Sequence, residues 1–72
     1  MATMIGQILT VQEGRFWLNN KEGIAHHFAL AYDAYVPDPG LHNLQKQARR
    51  VLITYTETRN ECTGLVHRVR VL

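Results

Sequence analysis

Residues 15–30 read RFWLNNKEGIAHHFAL, and this stretch decides what kind of fold the chain can make. Phe16 and Leu18 alternate with Arg15, Trp17 and Asn19; after a polar turn at Asn20-Lys21-Glu22-Gly23, Ile24, Phe28 and Leu30 resume a period of two. Successive side chains of a strand point to opposite faces, so the pattern predicts a β-hairpin with one buried face. Ile24, Phe28 and Leu30 join Phe16 and Leu18 on that face. The other face holds Arg15, Trp17 and His27: a cation, a large amphipathic aromatic and an imidazole that a core does not require.

On the N-terminal side of the hairpin, residues 4–11 read as a first strand, apolar at Ile5, Ile8, Leu9 and Val11. Gly6 lies inside this run, where glycine marks a bulge or a close backbone approach, so a bend is expected near it. Gln12-Glu13-Gly14 is a tight connection, and Gly14 suits the positive φ of a short hairpin loop. With residues 15–19 as strand two and 24–31 as strand three, the first half of the chain is a meander.

On the C-terminal side, residues 32–40 (YDAYVPDPG) are expected to be a loop. Pro37 and Pro39 donate no backbone hydrogen bond, and each drives its predecessor, Val36 or Asp38, away from helical dihedrals. Residues 41–48 follow as a short helix, with Leu41, Leu44 and Ala48 spaced three and four apart and Asp38 or Gly40 near its start. Residues 51–58 (VLITYTET) are β-branched and aromatic, a strand with Val51, Ile53 and Tyr55 on one face. A turn at Arg59-Asn60-Glu61 then leads to a fifth strand over residues 63–72, in which Leu65, His67, Val69 and Val71 oppose Val66, Arg68 and Arg70.

Seventy-two residues form one domain, which buries only about 60% of the surface its unfolded chain exposes. A hydrophobic content of 46% against 19% charged residues excludes a disordered chain. Cys62 is the single cysteine, so an intramolecular disulfide and a cysteine-based zinc site are both excluded, and a reducing, cytoplasmic setting is expected. The first ten residues carry no basic segment followed by an apolar run, so neither a signal peptide nor a membrane partner is expected. The net charge of +2 demands no polyanion, but the five arginines after residue 48 make the last third the basic part of the chain.

The resulting order, β-β-β-α-β-β, predicts a mainly β fold in which a small curved sheet hides its edges by closing into a five-stranded barrel. That order resembles the OB-fold, and in outline the chain is similar to cold-shock proteins and initiation-factor-one-like domains. The resemblance covers element order and turn placement over nearly the whole chain. Cold-shock proteins carry a Lys-Gly-Phe-Gly-Phe motif where this chain has Lys21-Glu22-Gly23-Ile24-Ala25-His26-His27-Phe28, so it shares a lysine near a glycine and one aromatic. The resemblance implies binding of single-stranded nucleic acid on the outer face of strands two and three. An SH3-like barrel is the competing fold.

Arg15, Trp17, Lys21, His27, Arg68 and Arg70 are the candidate nucleic-acid contacts. An exposed indole offers a face for a base, and guanidinium groups contact phosphate. Against this, Trp17 can pack under the helix or a loop, and Arg68 and Arg70 can be charges that keep a strand edge soluble. His26 points inward with Phe28 while His27 points outward, and His42 and His67 are remote, so no metal or other cofactor is expected. Cys62 with His67 is a poor nucleophile pair because Glu61 disfavours a thiolate, and no other catalytic arrangement is present. The sequence thus points to a non-enzymatic module whose partner is single-stranded DNA or RNA; the alternative is a protein partner or a second copy of the chain, bound through the Trp17 face.

Overall fold

A computed structural model describes residues 1–59 and 62–72 of the chain. The elements are β1 (Ala2–Gln12), β2 (Arg15–Asn20), β3 (Ala25–Tyr35), α1 (Leu41–Lys46), β4 (Arg50–Glu57) and β5 (Gly64–Val71). The strands close into a barrel in the order β1-β2-β3-β5-β4, with β4 returning to β1. Every pairing is antiparallel except β3 with β5. The expected mainly β class, element order and closed five-stranded barrel are therefore all present. Of the turn expected at Arg59-Asn60-Glu61, Asn60 and Glu61 lie outside the described residues.

The alternation in the sequence accounts for the core. Phe16, Leu18 and Phe28 from the hairpin, Val51, Ile53 and Tyr55 from β4, and Val66 and Val69 from β5 all point inward and are buried with Ile8, Leu41 and Leu44. Phe28 stands between Phe16, 5.8 Å away, and the edge of Tyr55, at 5.0 Å between ring centroids. Such aromatic pairs contribute about 0.5–1.5 kcal/mol each beyond their area. Gly6 marks a close backbone approach, as its place in the run suggests: a Cβ there would overlap the backbone carbonyl of Asn19. The irregularity in β1 falls instead at Leu9, since Ile8 faces Leu18 and Thr10 faces Trp17, which leaves Leu9 as the extra residue of a bulge.

Four further expectations are corrected. Ile24 is 51% exposed, because Asn20 closes the turn around it: the Asn20 Oδ1 accepts hydrogen bonds from the backbone N–H of Glu22 at 2.9 Å and of Ile24 at 3.0 Å. This is an Asx-type turn, and it delays the strand to Ala25. At its other end β3 runs on through Tyr32 to Tyr35, so the loop before α1 is shorter than expected. The prolines act only from Val36 onward, and Tyr35 still has Arg68 of β5 to pair with.

The helix ends at Lys46 rather than Ala48. Ala48 has φ 52°, its N–H reaches the Gln45 carbonyl at 3.1 Å, and the Arg49 N–H reaches the Leu44 carbonyl at 3.2 Å. This is a Schellman cap with alanine in the left-handed position usually given to glycine. In β5, finally, Thr54 faces Arg68 while Tyr55 faces Val66, so His67 is a second bulge. It resets the alternation and brings Val66 and Val69 to the same inner face, with Arg68 and Arg70 together outside.

Candidate nucleic-acid interface

On the outer face of the hairpin, Trp17 of β2 lies directly opposite His27 of β3. The indole is 43% exposed and stacks on the imidazole, with ring centroids 4.8 Å apart and planes inclined by 19°. Trp17 is therefore not covered by the helix or a loop. The two rings form one half-exposed stack, a platform whose outer ring faces remain open to a further ring and which the pairing of β2 with β3 holds in place. Arg15, exposed and two residues before Trp17, emerges from the same face beside Ala29. Lys21 is exposed in the turn at the other end of the hairpin. Trp17 and His27 thus sit between two cations.

His26 takes the opposite role. It is half-buried, tilted against Phe28 at 6.4 Å, and its Nε2 lies 3.2 Å from the Asn20 Nδ2. The Asn20 amide oxygen is already occupied by two backbone donors, so its NH2 group faces the imidazole and Nε2 is the acceptor. The adjacent histidines therefore serve the core edge and the outer platform respectively. Among the described residues, no three of His, Cys, Asp and Glu converge on a point where a metal could bind. Cys62 Sγ contacts the Gly64 carbonyl at 3.5 Å and Thr58 Oγ1 at 3.7 Å, while His67 Nε2 bonds Thr56 Oγ1 at 2.8 Å. The two are thus engaged with different neighbours.

No family model, curated protein or solved structure matches the chain. Its chemistry has to be read from its own surface. No helix among the described residues is long and apolar enough to cross a membrane.

Arg68 and Arg70 do not join the platform. They project from β5 where that strand meets the C-terminal end of β3, and the Arg68 guanidinium lies over the Tyr35 ring, 5.9 Å from its centroid. Tyr35 lies eight residues beyond His27 along β3, a path of up to about 26 Å in an extended strand. The six candidate residues thus fall into two groups, Arg15, Trp17, Lys21 and His27 in one, Arg68 and Arg70 in the other. Tyr35, Pro37 and Asp38 belong with the second group, where they line a cleft of ≈ 330 Å³ with the two arginines. The sequence also singles out Tyr35, with Tyr32 and Asp33, in the proline segment that could form a lip of the binding face or a cap on one barrel end, but it does not mark Pro37 or Asp38 as contacts. The available signal was Tyr35 itself, which continues the outward period of His27, Ala29, Ala31 and Asp33 into a segment whose prolines suggested a loop.

Proposed function

We propose that the protein is a non-enzymatic binding module that takes single-stranded nucleic acid on the outer face of β2 and β3. The observation that carries this reading is the Trp17–His27 stack, half-exposed on the outer face of the sheet. An exposed aromatic costs solvation and adds nothing to the core, whereas every base has a π-face that can continue such a stack. Arg15 and Lys21 on either side supply the charge for a phosphate backbone, and the arginines of β5 extend it around the barrel. The OB-like resemblance belongs to the same proposal, and the element order and barrel closure accommodate it.

A second reading has one observation in its favour. Leu9 in the β1 bulge is 43% exposed on the strand next to Trp17, so an apolar contact with a protein or a second copy would also have an anchor on this side. Salt separates the two. Phosphate neutralisation makes affinity fall steeply as salt rises, and an apolar interface does not behave in this way.

The test is titration of short DNA and RNA oligomers against the parent and Trp17→Ala at two salt concentrations. The expected loss is about 1–3 kcal/mol, roughly fivefold to 150-fold, with little change in melting. If the parent binds no oligomer at low salt while Trp17→Ala turns an oligomeric protein into a monomer in sedimentation, the second reading replaces the first.

A further inference from the structure

The cleft beside β5 has an origin and a composition of its own. Between Leu30–Val66 and Tyr35–Arg68, β3 advances five residues while β5 advances two, so the parallel ladder cannot stay closed and β3 arches away from its partner. Past the Tyr35–Arg68 pair the chain leaves the sheet toward α1, and there Tyr35, Pro37, Asp38, Arg68, Arg70 and Val71 line an open cleft. Its volume of ≈ 330 Å³ is at the lower end of the range for small-molecule sites, about 300–1,000 Å³.

Three chemical features converge there. Arg68 and Arg70 are exposed and two residues apart on one strand, so both guanidinium groups leave from the same face, about 6–7 Å apart at their origins. Tyr35, 59% exposed, has the Arg68 guanidinium over its ring at 5.9 Å, a cation–π contact that orders that group beside an exposed aromatic face. Asp38 enters from the connection rather than from β5 and brings an acceptor-only carboxylate. Two cations alone would suit any anion. With a flat stacking surface, apolar walls from Pro37 and Val71, and a carboxylate acceptor, they suit a ligand that is anionic at one end, planar at the other and carries hydrogen-bond donors.

We propose that this cleft binds a nucleoside phosphomonoester, with its phosphate on Arg70 and Arg68, its base on the guanidinium–tyrosine stack and a hydroxyl or amine donating to Asp38. The site is separate from the Trp17–His27 platform and does not depend on it. The same chemistry is presented by a free nucleoside monophosphate and by the phosphorylated end of a strand.

The test uses the full chain at low salt, with adenosine 5′-monophosphate, adenosine and inorganic phosphate titrated separately and binding followed by calorimetry and amide chemical shifts. The nucleotide should bind at least tenfold more tightly than either fragment, shifting amides of residues 35–38 and 68–71. Arg70→Ala and Arg68→Ala should each weaken it at least tenfold with unchanged melting, and Arg70→Lys by less. Trp17→Ala should alter it by less than twofold. In the Trp17→Ala background, tighter binding of a 5′-phosphorylated oligomer than of its hydroxyl form identifies a strand end as the source, and nucleotide binding without that difference identifies the free nucleotide. Equal binding of adenosine and its monophosphate, or full retention of binding in Arg70→Ala, would overturn the proposal whatever happens at Trp17.

Discussion

Replacing Ile53 by alanine tests the centre of the barrel. Ile53 is 0% exposed and lies in the middle of β4, paired with Met4 on one side and Val69 on the other. The substitution removes three carbons from a fully dry site, about 2.4 kcal/mol at ~0.8 kcal/mol per methylene. Flanked by strands on both sides, the site has little freedom to collapse, and the residual cavity places the total within about 3–5 kcal/mol. A chain of 72 residues has a folding free energy of about 4–11 kcal/mol, so a large share of it is at stake. At about 4–8 °C per kcal/mol for this size, the melting temperature should fall by at least 12 °C. Thermal melts followed by circular dichroism measure this directly, with Ile53→Val as a control costing about 0.5–1.5 kcal/mol. If Ile53→Ala melts within 5 °C of the parent, about 1 kcal/mol or less, β4 does not occupy the core of the closed barrel.

Ala48→Gly should stabilise the protein by about 1 kcal/mol in a chemical denaturation curve, because it relieves a left-handed alanine in the Schellman cap; a destabilised variant would show the cap is not formed. Gly6→Ala should cost about 1–3 kcal/mol, since the added methyl meets the backbone of Asn19 and backbone cannot step aside; an unchanged melt would mean β1 and β2 are not so close. Asn20→Ala leaves two backbone donors without their side-chain acceptor and should lower stability by about 1–2 kcal/mol, with amide exchange accelerated first at Glu22 and Ile24. Chelator should leave the melting curve where it is, and one equivalent of zinc in protein purified without a tag would contradict the metal-free reading.

The sequence made most of the barrel legible because alternation is a direct image of a two-faced strand. It placed Phe16, Leu18, Phe28, Val51, Ile53 and Tyr55 inside and Trp17 with His27 outside, as they are found. What it concealed was set by single residues whose effect depends on a partner strand. A bulge at Leu9 or His67 adds one residue to one side of a ladder and leaves no compositional trace. Ala48 adopts a glycine conformation without being glycine, so the end of α1 looked two residues later. Ile24 looked like core because it is apolar and in phase, yet the side chain of Asn20 claims its backbone for the turn. The β5 cleft was hidden for a related reason, because it arises from the parallel pairing of two segments more than thirty residues apart, which no local pattern encodes.

The order of strands around the barrel also dictates how the chain can reach its native state. Residues up to 35 can zip up locally, since β1, β2 and β3 are joined by short turns. Yet β1 waits for β4 and β3 waits for β5, so one flank of this meander stays open until β4 is made and the other until the last strand is. Long-range pairings of this kind form late and slowly, because loop closure costs entropy before any contact offsets it. During synthesis on the ribosome, the nascent chain therefore passes through a stage with two unpaired strand edges and the platform-bearing hairpin already built. That stage is where the protein is most exposed to aggregation and to chaperones, and where a slow C-terminal third would be most costly.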